Sequence, residues 1–185
     1  MQQNMQLKIV NYNIDLNLDY ELKNILNKEN QYTIPIFIPH KGCKNECIFC
    51  NQRKISGHLT SVTYSDVDEE IKKNLKYFEN NKKNKKIQIA FFGGSFTGIN
   101  FNEQIEYLKV ANKYIENGKV DSIRLSTRPD YISPKILKML KMYNVETIEL
   151  GVQSMDNEIL KIAKRGHLRR HVIRASRLIR YMDLI

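Results

Sequence analysis

The three cysteines of this 185-residue chain lie together in one short loop, at Cys43, Cys47 and Cys50. An odd number of cysteines packed this closely does not form a disulfide framework. Iron–sulfur clusters are held by cysteine thiolates, and a cuboidal cluster bound by three thiolates keeps one iron without a protein ligand. That iron can bind a small molecule through an amine and a carboxylate. The C-x3-C-x2-C spacing therefore favours a [4Fe–4S] cluster with one open iron.

Two other interpretations of the cysteines stay open at this point. Zinc could take the three thiolates with His40 or His58 as a fourth ligand, although zinc sites usually arrange their ligands as two separated pairs. The cysteines could also pack as small apolar side chains. The polar residues 44–46 between them do not suit a purely apolar role. The zinc interpretation predicts a zinc-stabilised RNA-binding module.

The chain carries a formal net charge of +10, which invites an RNA interpretation because phosphate contacts need lysine and arginine. Much of that excess is a lysine tract at residues 82–86, a pattern typical of a solvated surface. No long apolar run is present, and the sequence after Met1 lacks the apolar core of a signal peptide. We therefore expect a protein of the reducing cytoplasm with no membrane partner.

Hydrophobic patterning divides the chain into an asparagine-rich extension, residues 1–31, and a core domain, residues 32–185. The extension is expected to hold at most one short helix, Tyr20–Lys28. In the core, strands are predicted at 33–38, 87–92, 122–127 and 145–150. The intervening helices are predicted to begin at Ser65 (paired with Asp68 in a capping box), Asn102, Ser133-Pro134, Asp156 and about Leu168. This alternation predicts an α/β fold with a parallel sheet.

The third and fourth predicted strands each carry one polar face. Arg124 and Ser126 share a face of the third strand, and Thr147 and Glu149 share a face of the fourth. Strands that helices cover on both sides should instead be continuously apolar. A barrel whose lumen holds a polar cofactor explains the pattern. An open sheet with one solvent-exposed face is the alternative.

Polar and glycine-rich motifs follow every predicted strand. They are the cysteine loop, Gly93-Gly94-Ser95, Ser126-Thr-Arg128-Pro-Asp130, and Glu149-Leu-Gly-Val-Gln153. In α/β barrels the active site gathers at the carboxyl ends of the strands. The sequence therefore predicts one site built from these four segments.

The motifs PIFIPHKGCKNECIFCNQRKISG, FFGGSFTG, STRPDYI and ELGVQSMDNEILKIAKRGH together resemble the radical S-adenosylmethionine (radical SAM) superfamily. The similarity is to the branch with the Elongator catalytic subunit and the anaerobic coproporphyrinogen dehydrogenases. The resemblance implies a [4Fe–4S] cluster on the three cysteines and a 5′-deoxyadenosyl radical made from SAM. The residues that it implies as SAM-site contacts are Phe49, Gly93, Gly94, Ser126, Gln153 and Arg165. Ser95 stands where the wider superfamily has an acidic residue.

The resemblance also sets expectations about completeness and partners. The family fold is a six-stranded partial (β/α) barrel, of which this chain supplies about four βα units. We expect a truncated chain with an exposed edge on its last strand, prone to aggregate or dimerise and slow or inactive in SAM cleavage. The expected partners are an electron donor such as a flavodoxin or ferredoxin, and a second chain that completes the barrel. The expected substrate is a transfer RNA or a tetrapyrrole.

Overall fold

Four parallel strands in chain order form the sheet of this protein. The structure, a computed structural model, describes residues 30–39, 41–43, 47–50, 62–78 and 85–185. The strands are β1 (Asn30–Ile38), β2 (Lys85–Gly93), β3 (Ser122–Thr127) and β4 (Val145–Leu150), paired β1-β2-β3-β4. The helices of the described residues are α1 (Tyr64–Phe78), α2 (Phe101–Glu116), α3 (Pro134–Met142), α4 (Asn157–Ile162) and α5 (Arg169–Tyr181). The predicted α/β fold of four βα units is confirmed.

One face of the sheet is apolar and packs against helices. Alternate residues of a strand point to the same face, and on this face they are almost fully buried. The central members of this core are Ile34, Ile36, Ile89, Phe91, Ile123, Leu125, Leu108 and Leu137. Each fully buried side chain of this kind contributes about 1.5–3 kcal/mol. The helices are therefore fixed to one side, so that the loops at the strand ends are held in place.

The other face of the sheet is polar along β3 and β4, as the sequence predicts, and this polar character extends to Gln31 of β1 and Gln88 of β2. Gln31 of β1 donates to Gln88 of β2 at 3.1 Å, and Gln88 donates to Ser122 of β3 at 2.9 Å. Gln88 also lies 3.4 Å from the Thr147 hydroxyl of β4. Because Gln88 has no exposed surface, these bonds satisfy a polar side chain that would otherwise be costly to bury. One hydrogen-bonded chain thus crosses all four strands.

Two predicted helix starts are wrong by two residues. Helix α1 begins with a capping box between Thr63 and Asp66, in which each side chain accepts a hydrogen bond from the other's backbone N–H, and not at Ser65 with Asp68. Helix α2 is capped by Asn100, whose side chain accepts from the backbone N–H of Asn102. In both places several cap-forming residues stand within three positions, so local preference does not choose among them.

The other boundaries follow the predictions closely. Strands β3 and β4 have the predicted limits, Ser133 caps α3, and Asp156 caps α4. Strand β1 begins at Asn30, so the last residues of the expected extension belong to the sheet. The proposed helix Tyr20–Lys28 lies outside the described residues. In the part of the chain that the structure describes, no helix is long and apolar enough to cross a membrane.

The outer edge of β4 is partly paired. The backbone N–H of Ile148 donates to the carbonyl of Ile185 at 2.7 Å, and the N–H of Ile185 donates to the carbonyl of Glu146 at 2.9 Å. These two bonds flank Thr147 in the manner of a parallel strand. The expectation of a wholly exposed edge is therefore wrong at these positions.

Candidate cofactor site

The cysteine loop and the glycine loop after β2 pack backbone against backbone. The Ser95 N–H donates to the carbonyl of Lys41 at 3.3 Å. Gly42 has a φ of +77°, and a Cβ at Gly42 or at Gly98 would overlap backbone atoms of the opposite loop. Only glycine permits this approach. The Lys41 ammonium anchors the same loop to α2 by hydrogen bonds with Glu103 and Tyr107, both at 3.3 Å.

Arg165, between α4 and α5, connects two of the predicted site segments, the cysteine loop and the segment after β4. Its Nη1 lies 3.4 Å from the sulfur of Cys47, and its Nη2 donates to the carbonyl of Gly151 after β4. The guanidinium carbon stands 5.7 Å from the centre of the Phe49 ring. The side chain is buried, with 7 % of the residue exposed. A buried cation is thus held beside the cysteine loop.

Arg128, just after β3, makes a second contact with the cysteines. Its Nε and Nη2 donate to both carboxylate oxygens of Asp130 at 3.0 and 2.9 Å, and its Nη1 lies 4.0 Å from the sulfur of Cys43. Burial alone would lower the pKa of Arg128, but the hydrogen bonds with Asp130 outweigh it and the pKa is raised. This contact was not predicted from the sequence, because 85 positions separate Arg128 from Cys43.

The Ser95 side chain points into a buried cluster of hydroxyl groups. Its Oγ lies 2.8 Å from the Thr127 hydroxyl, which lies 2.6 Å from that of Thr97. The backbone N–H of Arg128 donates to Ser95 Oγ at 3.1 Å. A carboxylate here would face hydroxyl groups in a dry interior, which costs free energy unless each oxygen is paired. This explains the serine as a link between the loops after β2 and β3.

The remaining predicted contacts fall into two groups. Gly94 and Ser126 lie with Lys41 around one crevice that apolar side chains otherwise line and that has no room for a water molecule. Gly93 ends β2 with a φ of +107°. Gln153 and Arg165 converge on Gly151, since a Cβ at Gly151 would lie 3.3 Å from Arg165 Nη2 and 4.0 Å from Gln153 Nε2. Gln153 has a φ of +67°, a strained conformation of the kind that often occurs at ligand sites.

The three cysteines differ in their exposure. Cys47 is buried, Cys43 is half-buried and Cys50 is exposed, and the Cys50 N–H donates to the Cys47 carbonyl at 2.9 Å. Among the residues that the structure describes, no three thiol, imidazole or carboxylate groups lie close enough together to hold a metal ion. The cluster ligands therefore stay a prediction.

The surroundings of the cysteines nevertheless fit an iron–sulfur cluster. Iron binds the thiolate form of cysteine, and guanidinium groups balance the charge of anionic ligands. Two such groups stand within 4.0 Å of two of the three sulfurs. His40 and His58, the alternative zinc ligands, lie outside the described residues.

A buried histidine next to this region was not anticipated from the sequence. His167 has no exposed side-chain surface, its Nε2 lies 3.2 Å from the Val152 carbonyl, and its Nδ1 lies 3.9 Å from Asp130. Burial, followed by the positive charge of Arg165, lowers its pKa. His167 is therefore a neutral packing partner of the loop after β4, and its only sequence signal is its place in the motif KRGH.

Comparison with known proteins identifies the family of this chain. The family model described as the radical SAM superfamily matches residues 37–183. A tRNA uridine(34) acetyltransferase of Methanocaldococcus infernus is 33 % identical over 112 residues, which are 51 % of this chain and 21 % of that protein. A biotin synthase of Methanococcus maripaludis is 32 % identical over 152 residues, 79 % of this chain and 43 % of that protein.

Solved structures show the same fold. An Elp3 of Methanocaldococcus infernus superimposes with a TM-score of 0.55 at 23 % identity, covering 80 % of this chain and 34 % of that one. The coproporphyrinogen III oxidase HemN of Escherichia coli gives 0.57 at 19 % identity, with 84 % and 35 % covered. The chain thus spans less than half the length of each of these proteins.

Proposed function

This chain belongs to the radical SAM superfamily, and we propose that it binds a [4Fe–4S] cluster through Cys43, Cys47 and Cys50 and SAM beside it. The chemistry supplied when both are bound is reductive cleavage of SAM to a 5′-deoxyadenosyl radical that takes a hydrogen atom from a substrate. This chain would work in the cytoplasm, where thiols stay reduced.

The observation that carries this proposal is the position of Arg165. One buried guanidinium contacts the sulfur of Cys47, the ring of Phe49 and the carbonyl of Gly151, so it ties the cysteine loop to the end of β4. A guanidinium binds a carboxylate through two parallel hydrogen bonds. We propose that Arg165 orients the SAM carboxylate next to the open iron, in place of its present contact with Gly151.

The other residues would hold the rest of SAM. A Cβ at Gly93 or Gly94 would overlap the carbonyl of Ile38 or Lys41, so these glycines let the loop after β2 pack against the end of β1, where its backbone polar groups would meet the ligand. Ser126 brings a hydroxyl to the carboxyl end of β3, the strand next to β2. Gln153 brings an amide near Gly151, which suits the ribose hydroxyl groups. Phe49 would cover the cluster side of Arg165 and exclude water from it.

We propose a transfer RNA as the substrate and a flavodoxin or ferredoxin as the electron donor. The relatives named tRNA uridine(34) acetyltransferases support a transfer RNA as the substrate. The exposed face of α5, which carries Arg170, Arg174 and Arg177, supports it independently, since phosphate contacts need such groups. A second chain that pairs with the rest of the β4 edge is a further proposal.

Metal analysis tests the proposal. Protein reconstituted anaerobically with iron and sulfide should hold about four of each per chain, and a Cys43→Ala, Cys47→Ala, Cys50→Ala variant should hold none. Stoichiometric zinc without iron, with loss of folding in a chelator, would instead support the zinc-stabilised RNA-binding module.

A further inference from the structure

Arg128 is a buried cation whose place beside the cysteine loop is not used by the proposed SAM site. Its side chain is 4 % exposed, and that of Asp130 is 20 % exposed. The Nε and Nη2 groups of Arg128 both donate to the Asp130 carboxylate. The third nitrogen, Nη1, faces the sulfur of Cys43 at 4.0 Å. The cation therefore stands between the carboxylate and the cysteine.

Several contacts besides the Asp130 pair hold Arg128 in its orientation. The backbone N–H of Arg128 donates to Ser95 Oγ at 3.1 Å, and its guanidinium carbon lies 5.3 Å from the centre of the Tyr131 ring. Asp130 also faces the buried ring of His167 at 3.9 Å. A charge held this firmly in a buried place is screened less than a surface charge.

We infer that Arg128 and Asp130 form an opposed charge pair that sets the reduction potential of the cluster bound at Cys43. The inference rests on the proposed function. Reduction adds one negative charge to the cluster. The nearer cation, Arg128, stabilises that charge, and the more distant carboxylate of Asp130 opposes it. Charge and hydrogen bonding around the ligand sulfurs are among the factors that tune such potentials.

The test is a redox titration of the reconstituted full chain, followed by the EPR signal of the reduced cluster. Arg128→Gln removes the cation, so the ratio of reduced to oxidised cluster at a fixed potential should fall about tenfold, which is a shift of about 59 mV to more negative values. Asp130→Asn removes the carboxylate, so the midpoint potential should move to more positive values. Arg128→Lys keeps the charge and should stay near the wild-type value.

Controls separate this role from a purely structural one. Arg124→Gln removes an arginine that lies four positions before Arg128, about 13 Å from it along the strand direction. This variant should change the ratio of reduced to oxidised cluster less than about threefold. A structural role alone would lower the melting temperature of the Arg128 and Asp130 variants without opposite shifts in potential. Should Arg128→Gln fail to fold, the positive shift of Asp130→Asn still decides the question.

Two results would overturn the inference in distinguishable ways. Equal potentials, or shifts of the same sign, in Arg128→Gln and Asp130→Asn would refute the charge pair and leave the proposed function intact. A wild-type chain that binds no cluster would refute the proposed function, and the inference with it.

Discussion

The Nη1 atom of Arg165 lies 3.4 Å from the sulfur of Cys47, although 118 positions separate the two residues along the chain. The contact joins the predicted cluster loop to the segment between α4 and α5. It places the cation proposed for the SAM carboxylate next to a proposed cluster ligand, as a molecule chelated to the open iron requires.

Replacing Arg165 should weaken SAM binding more than it affects the cluster. Hydrogen bonds to charged groups contribute about 1.5–3 kcal/mol, so Arg165→Gln should lower SAM affinity about 10- to 100-fold. Anaerobic equilibrium dialysis with labelled SAM measures this, with iron content recorded on the same samples. Arg169→Gln, an exposed arginine at the start of α5, is the matched control. Unchanged affinity in Arg165→Gln would contradict the assignment.

Two glycines with similar backbone conformation test the packing of the cysteine loop. A Cβ at Gly118, which has a φ of +63°, would have no neighbour within 4 Å, whereas a Cβ at Gly42, with a φ of +77°, would overlap the Ser95 carbonyl. Gly118→Ala should cost about 1–2 kcal/mol of unfolding free energy, from the left-handed conformation alone. Gly42→Ala should lower the unfolding free energy by about 1–3 kcal/mol more than Gly118→Ala does, because its Cβ also overlaps the opposite loop. Urea denaturation measures both, and equal losses would show that the two loops do not pack tightly.

Asp68 makes the fold sensitive to acid. Hydrogen bonds from Lys72, and then from Tyr114, lower the pKa of Asp68 from 3.8 to about 2. Because the folded-state pKa is depressed, the stabilisation is fully present above the unfolded pKa and is lost as the pH falls from about 4 towards 2. At pH 7 the unfolding free energy of Asp68→Asn should therefore be about 1 kcal/mol below that of wild type. This difference in stability should become smaller near pH 2. Melting curves across this range test it, with the exposed Asp183→Asn as control; a constant gap would refute the coupling.

The sequence predicts the strands of this protein better than the helix starts. The limits of β3 and β4 follow from alternation between Ile or Leu and polar residues, since that pattern marks a half-buried strand directly. The caps of α1 and α2 were misplaced because cap-forming residues cluster there and tertiary packing selects one.

The same distinction holds for the site. The segments that form it were predictable, because parallel strands bring their carboxyl ends to one edge. The contact of Arg128 with Cys43 was not, since it depends on side-chain directions in two loops 85 positions apart. The role of Ser95 in the hydroxyl cluster likewise emerges only when Thr97 and Thr127 are placed beside it.

The basic face of α5 gives a prediction about RNA. The buried Val172, Ala175 and Ile179 fix the helix, so that the arginines at 170, 174 and 177 face outward. Replacing those three with glutamine should weaken binding of transfer RNA and reduce the slope of log affinity against log salt by about 2 to 3. The control replaces Lys72, Lys73 and Lys76 on α1 in the same way. Weak wild-type binding with no salt slope would rule out this interface.

The most direct test of the account is the EPR spectrum of the reduced, reconstituted protein before and after SAM is added. If Cys43, Cys47 and Cys50 hold a [4Fe–4S] cluster with an open iron, the spectrum should show a reduced cluster whose signal changes when SAM binds. The change should be absent or require far more SAM in Arg165→Gln. A cluster signal that SAM does not alter at any concentration, or a protein that takes up zinc and forms no cluster, would contradict the account.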